Sequence, residues 1–227
     1  MPPRARIYFD CVTGTGIFLL VDGLAQFKIS DWPQFLAYLA LALVAATWKF
    51  KIPGIPVTFS TTFAFVLIGI ANFSLAEALT IGCAATLVQC YWRPHEKASI
   101  RRLFFNVAAV CLGIRIAYDP AHFHLTNSLQ KAPGVLPLAA LLYFIVNTGL
   151  IAGMVALVEE ADFRSVWKRL AGYVVVYYPV GGLVAAIMIV ANRTWGWHAG
   201  LLIVPLLYLT YWPYRAFVRG RELTQVS

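Results

Sequence analysis

Eight apolar stretches follow one another along this chain, and they constrain its fold more than any other feature. A helix needs about 20 apolar residues to cross the hydrocarbon core of a bilayer. The stretches cover residues 7–27, 35–50, 57–73, 75–92, 103–118, 135–158, 170–191 and 197–217. Because they are continuous rather than alternating, they exclude a transmembrane β-barrel. We predict an all-α, polytopic membrane helix bundle of about eight transmembrane helices, forming one transmembrane domain over residues 1–227.

The composition agrees with a membrane protein and excludes an ordinary soluble domain. Hydrophobic residues make up 60% of the chain and charged residues 12%, whereas a soluble domain carries about 25% charged residues. A net charge of +8 would suggest nucleic acid binding in a soluble protein. Here the charges lie at the ends of the apolar stretches, so we expect the lipid bilayer, and no nucleic acid, as the partner.

The distribution of lysine and arginine predicts the orientation. With the N-terminus placed in the cytoplasm, 14 of the 18 basic residues lie in cytoplasmic segments and three lie outside. Basic residues concentrate in cytoplasmic loops of membrane proteins. We therefore expect both termini in the cytoplasm and a multi-pass protein of the cytoplasmic membrane.

Local motifs refine the helix boundaries and suggest helix contacts. Ser74 followed by Glu77 forms a capping box, which predicts the start of the fourth helix. Two GxxxG spacings, Gly149–Gly153 in the sixth helix and Gly196–Gly200 at the start of the eighth, favour close helix packing. This packing is either internal or the face of a homodimer.

Charged residues near the outer ends of the first and fifth helices form the candidate ligand site. An ionisable group at membrane depth is costly and suggests a function. The residues of this predicted pocket are Asp22, Arg115, Asp119, His122 and His124. In the alternative interpretation, Arg115 and Asp119 form a structural ion pair four residues apart. Two histidines are too few for a metal site, so we expect no metal and no cofactor.

Three amides, Gln89, Asn106 and Asn147, fall at membrane depth. Such side chains usually form hydrogen bonds between helices, and a substrate path is the alternative. The four cysteines lie in apolar stretches without metal-binding or disulfide spacing, which is typical of small buried hydrophobes. No HExxH, GxSxG or P-loop motif occurs, so we expect no enzyme, with an intramembrane enzyme or assembly factor as the less favoured alternative.

Short motifs spread over most of the chain resemble the multi-helix N-terminal membrane region of bacterial GGDEF and HD-GYP cyclic-di-GMP signalling proteins. The matching residues are Val57-Thr58-Phe59-Ser60, Ala76-Glu77-Ala78, Gln89 with Trp92, Phe104-Phe105-Asn106-Val107, Asn147-Thr148, Tyr177-Tyr178, and Tyr208 with Tyr211. In that family the last helix leads into a catalytic domain, of which this chain carries no motif.

The resemblance implies a sensory region of the bacterial inner membrane, here without the catalytic domain. We therefore expect a non-catalytic sensory or regulatory module that acts through a cytoplasmic signalling protein. The charged pocket supports an alternative, a small-solute transporter or the substrate-binding subunit of an uptake system.

Overall fold

The computed structural model describes residues 1–25, 31–51, 58–92, 99–122, 135–175 and 177–198, with residues 205 and 209. Within these residues the fold is a bundle of eight helices with one pair of short strands. The elements are α1 Pro3–Ala25, α2 Trp32–Thr47, β1 Lys49–Lys51, β2 Thr58–Ser60, α3 Phe63–Asn72, α4 Leu75–Tyr91, α5 Ile100–His122, α6 Val135–Glu159, α7 Phe163–Val174 and α8 Tyr177–Trp195. The predicted helical bundle is confirmed.

Among the described helices, α1 and α6 are each long and apolar enough to cross a membrane. The segments α7 and α8 reach the same threshold only if they count together as one broken span. A membrane protein is therefore indicated, whereas the number of eight spans stays a prediction.

The short helix α3 lies at the centre of the bundle. Eight of its ten residues, Phe63 to Ile70, are buried, and it packs against α2, α4, α5, α6 and α8. Ten residues extend about 15 Å as a helix, which is half the thickness of the hydrocarbon core. This helix is apolar because it is enclosed by other helices.

The third predicted helix, 57–73, was too long at its start. Residues Thr58–Ser60 instead form β2, which pairs antiparallel with β1 so that Lys49 lies opposite Ser60. Threonine and phenylalanine favour strands, and the pairing satisfies backbone groups that a helix would have satisfied internally. The second predicted helix, 35–50, likewise ends early, at Thr47.

The predicted seventh helix, 170–191, is two helices. α7 and α8 meet at a bend of 45°, and Pro179 is the third residue of α8. Proline lacks an N–H group and its ring clashes with the carbonyl oxygen four residues earlier, so it disrupts the interior of a helix but fits the first turn. α8 therefore begins just before Pro179 and does not continue α7.

Two glycines that suggested helix packing have different roles. Gly153 of α6 lies against α1, since a Cβ atom there would stand 2.8 Å from the Tyr8 hydroxyl. That hydroxyl donates a hydrogen bond to the Leu150 carbonyl oxygen at 3.1 Å. Gly196 has a φ of 80° and donates its N–H to the Asn192 carbonyl oxygen, so it ends α8 instead of opening the next helix. Most of the eighth predicted helix, 197–217, lies outside the described residues.

Nine of the eleven basic residues in the described segments lie at one end of the bundle, which we call the basic end. Contacts between the start of α1 and the second half of α6, and between β1 and the end of α4, bring these segments together. The basic end carries Arg4, Arg6, Lys49, Lys51, Arg101, Arg102, Arg164, Lys168 and Arg169. At the other end, called the opposite end, α5 finishes beside the junction of α3 and α4, where the Tyr118 hydroxyl contacts the Phe73 carbonyl oxygen.

Candidate functional site

The charged residues predicted to line a pocket lie at the opposite end. Arg115 Nε and Asp119 Oδ2 are 3.2 Å apart across one turn of α5, and their side chains are 31% and 53% exposed. Asp22 is half-buried on α1, and among the described ion pairs none joins it to Arg115. His122 ends α5, but its side chain and the whole of His124 lie outside the described residues. The described part is thus an ion pair that satisfies itself.

A buried carboxylate close to this ion pair belongs to the same end, and the sequence indicated it only as a helix cap. Glu77 is 2% exposed. Its Oε2 accepts hydrogen bonds from the Ser74 backbone N–H at 2.8 Å and from the Ser74 hydroxyl at 2.7 Å. The Ser74 oxygen in turn accepts from the Glu77 N–H, which confirms the predicted capping box. These contacts give Glu77 a structural role in starting α4.

Gln89 connects the strand pair to the end of α4 at the basic end. The Ser60 hydroxyl donates to Gln89 Oε1 at 2.7 Å. Lys49 Nζ donates to the carbonyl oxygens of Gln89, at 3.0 Å, and of Trp92. Partial burial lowers the pKa of the Lys49 ammonium from its usual value. The Gln89 side chain therefore binds the strand pair, whereas the prediction was a hydrogen bond between helices.

Asn106 and three of the four cysteines, Cys83, Cys90 and Cys111, line the contact between α4 and α5. Asn106 Nδ2 lies 3.6 Å from the Cys90 sulfur, and the sulfur atoms of Cys83 and Cys111 are 3.3 Å apart in a buried contact. Both cysteines of this pair behave as small buried side chains, whereas Cys11 is exposed on α1. None of these contacts brings together more than two groups able to bind a metal.

The third amide, Asn147, belongs to an uncharged polar group inside the bundle. We call Asn147, Thr148 and Tyr178 the interior polar cluster. Asn147 is 8% exposed and Thr148 is fully buried, and the Tyr178 hydroxyl lies within hydrogen-bonding range of both side chains. Even so, Asn147 Oδ1 and Thr148 Oγ1 have no hydrogen-bond partner of good geometry. A buried polar group left unpaired costs about 1–3 kcal/mol, so this cluster is energetically incomplete.

Aromatic rings surround this cluster. The ring of Tyr178 is centred 4.2 Å from that of Phe63 and 4.7 Å from that of Phe144, with Tyr143 at 6.5 Å. Asn147 is the middle residue of α6. The start of α8, and with it the break between α7 and α8, therefore lies beside the middle of a helix long enough to cross a membrane.

The interior polar cluster consists of hydrogen-bonding groups without a formal charge. An amide oxygen and two hydroxyl groups accept and donate hydrogen bonds, whereas acid–base chemistry needs a group that titrates near neutral pH. Among the residues that the structure describes, no three potential metal ligands lie together. Of the three residues in this cluster, the sequence analysis singled out only Asn147 as a polar residue at membrane depth. Two features of the sequence point to the other two residues. Thr148 forms a polar pair with Asn147 in the centre of one apolar stretch, and Tyr178 precedes Pro179 within another.

Comparison of the chain with protein-family models, with curated proteins and with solved structures found no match.

Proposed function

We propose that this protein is an integral membrane sensory or regulatory module without catalysis of its own, which acts through a cytoplasmic partner. The apolar stretches and the distribution of lysine and arginine support a multi-pass protein with about eight spans and both termini in the cytoplasm. The resemblance to the membrane region of cyclic-di-GMP signalling proteins supports a bacterial sensory role. The basic end is the cytoplasmic end, because lysine and arginine favour that side of a membrane.

Helix α7 is the observation that carries this proposal. Its residues Val166, Leu170, Tyr173 and Val174 are buried, whereas Arg164 and Lys168 are exposed. One face thus packs on the bundle and the other presents positive charge. The far end of α7 leads through the 45° bend into α8, beside the interior polar cluster.

This connection gives a physical route from the membrane interior to the cytoplasm. A helix break has few internal hydrogen bonds, so the angle between its two halves can change at lower cost than within a continuous helix. A ligand or membrane state that favours one angle would shift the population of α7 orientations. The exposed basic face of α7 would then gain or lose its fit to an acidic surface on the partner.

The test compares wild type with Arg164→Glu/Lys168→Glu, purified gently from the natural host into lipid nanodiscs. Native mass spectrometry should find a stoichiometric cytoplasmic signalling protein with the wild type, and the double variant should lose it. Arg193→Glu is the matched control, because this basic residue is also exposed but lies in the last turn of α8, far from α7 along the chain. Retention of the partner by the double variant, or its absence from the wild type, would overturn the proposed role of α7.

A small-solute transporter, or the substrate-binding subunit of an uptake system, is the second candidate. It is favoured by the broken α7–α8 segment, because transporters place broken helices beside substrate sites near the bilayer midplane. Native mass spectrometry of the same preparation tests it. A tightly held small molecule, together with an ATPase instead of a signalling protein, would favour uptake.

A homodimer is compatible with both functions. Tyr8 covers Gly153, but no atom lies within 4 Å of where a Cβ atom would stand on Gly149. The mass of the purified particle decides between monomer and dimer.

A further inference from the structure

The outward side of α7 carries two cations near its start and an apolar surface farther along. Arg164 and Lys168 are exposed, and residues four or seven apart lie on the same side of a helix. Gly172 and Val175 continue that side. Gly172 is exposed, with no atom within 4 Å of a Cβ position, and Val175 is 54% exposed. We call these four residues the α7 outer face.

The two cations of this face have no counter-ion within the described part of the chain, where no ion pair involves Arg164 or Lys168. The acidic residues just before α7 lie in other contacts. Glu159 pairs with the third basic residue of α7 at 3.7 Å, and the Asp162 carboxylate caps the start of the helix. Glu160 lies in the turn before α7, at a φ of 53°, outside the described ion pairs. The α7 outer face therefore presents two positive charges to an external anion.

The length of the face matches one leaflet of a bilayer. From Arg164 to Val175 a helix rises about 17 Å, and half of the hydrocarbon core is about 15 Å thick. The ring of Trp167 lies beside the cations, centred 5.6 Å from that of Phe163, and tryptophan concentrates at the membrane–water interface. With the basic end in the cytoplasm, the cations lie at the level of the lipid headgroups and Val175 lies near the middle of the bilayer.

We propose that the α7 outer face binds an anionic phospholipid of the cytoplasmic leaflet. The headgroup phosphate lies between Arg164 and Lys168, because guanidinium and ammonium groups both donate hydrogen bonds to phosphate oxygens. One acyl chain lies along Gly172 and Val175. A free phosphate or an acidic peptide would match the cations but would leave the apolar half of the face uncovered.

This site rests on the proposed function and its orientation in the membrane, and it supplies an input signal. The cytoplasmic partner is proposed to use the same two cations, Arg164 and Lys168. An anionic lipid therefore competes with the partner for the start of α7. The fraction of anionic lipid in the membrane then determines how much partner is bound.

Native mass spectrometry of the purified full chain in detergent measures lipid binding directly. The protein is titrated with phosphatidylglycerol, or with phosphatidylcholine of the same acyl chains, whose phosphate is neutralised by its own choline group. We expect tighter binding of phosphatidylglycerol, and a selectivity that falls as the salt concentration rises. Glycerol 3-phosphate, which has the phosphate but no acyl chain, should not displace the bound lipid.

Arg164→Gln/Lys168→Gln is the decisive variant, because it removes both charges from exposed positions. A cation near an anionic lipid surface contributes about 1 kcal/mol, so phosphatidylglycerol should bind about thirtyfold more weakly. Lys168→Arg keeps the charge and should bind like wild type. Arg4→Gln/Arg6→Gln is the matched control, since it removes two exposed charges at the same end from residues two apart, which do not share a helix face. It should bind phosphatidylglycerol almost like wild type.

Each outcome decides the proposal. Equal binding of the two lipids, displacement by glycerol 3-phosphate, or equal weakening in the two double variants would overturn the lipid site. In nanodiscs, the wild type should retain less partner as the fraction of phosphatidylglycerol rises, and constant retention would overturn the competition. A bound partner without lipid selectivity would leave the sensory function standing without this site. Lipid selectivity without a partner would support the site and remove the proposed output.

Discussion

The ion pair at the opposite end and the interior polar cluster differ in what they offer a ligand. Arg115 and Asp119 are both partly exposed and neutralise each other at 3.2 Å. Asn147 and Thr148 are buried and carry oxygen atoms without a hydrogen-bond partner of good geometry. The charged pair is complete and open to solvent, whereas the uncharged cluster is incomplete and closed.

This difference shows why charge is an uncertain guide to function in an apolar chain. A charged residue is conspicuous in the sequence. At a helix end, however, it costs little free energy, because water and a neighbouring carboxylate both stabilise a cation such as Arg115. An amide in the middle of a helix is less conspicuous. It has no access to water, so any unmet hydrogen bond there implies either a cost or a ligand.

The largest effect should come from placing a charge in the interior polar cluster. Asn147→Asp buries a carboxylate among aromatic rings, and an acidic residue at the centre of a membrane helix costs about 2.5–3.5 kcal/mol. We expect a loss of that order in the free energy of unfolding at neutral pH, measured by SDS titration in mixed micelles. The loss should become smaller as the pH falls, because a protonated carboxyl group is uncharged.

The exposed pair supplies the matched control for that substitution. Asp119→Asn changes the same functional group in the reverse direction, at a side chain that is 53% exposed. Its effect should stay below about 1 kcal/mol. Equal effects of Asn147→Asp and Asp119→Asn would mean that the two regions are equally solvated. This result would contradict the difference between a closed cluster and an exposed ion pair.

Glu77 provides an intermediate effect, because its carboxyl group is buried yet hydrogen-bonded through Oε2. Glu77→Ala removes the acceptor of the Ser74 N–H and hydroxyl, which should cost about 1–2 kcal/mol. Glu77→Gln keeps an acceptor oxygen and should recover most of that stability in the same SDS titration. If glutamine destabilises as much as alanine, the negative charge itself, and not the cap, holds α4 in place.

The sequence predicted correctly those features whose residues are close together along the chain, and it missed contacts between separate segments. The capping box of Ser74 and Glu77 was predictable because its partners are three residues apart, and the first six apolar stretches each contain a helix for the same reason. The break before Pro179 was missed because hydrophobicity continues across it. The pairing of Lys49 with Ser60 and the meeting of Asn147 with Tyr178 depend on distant segments, which a pattern along the chain does not record.

Lys49 tests whether a basic residue at the basic end is structural. Lys49→Met keeps the length of the side chain but removes the donor to the Gln89 and Trp92 carbonyl oxygens. We expect a loss of about 0.5–1.5 kcal/mol, since these carbonyl groups end α4. Arg101→Met, at an exposed residue of the same end, should have almost no effect on the unfolding temperature. A larger effect from Arg101→Met would show that the stability of this end depends on total charge and not on the cap.

The smallest effect is expected from Arg115→Ala, although Arg115 is the most conspicuous residue in the sequence. An exposed ion pair between residues four apart contributes about 0–1 kcal/mol, and the loss should shrink further at high salt because exposed charges are screened. Asp119→Ala should give the same small loss, since each variant breaks the same pair. A loss above about 2 kcal/mol for Arg115→Ala alone would imply a buried partner for its guanidinium group, and Asp22 on α1 would be the first residue to substitute. Arg115, Asp119 and Asp22 would then form one charged group that joins α1 and α5, as the predicted pocket at the opposite end requires.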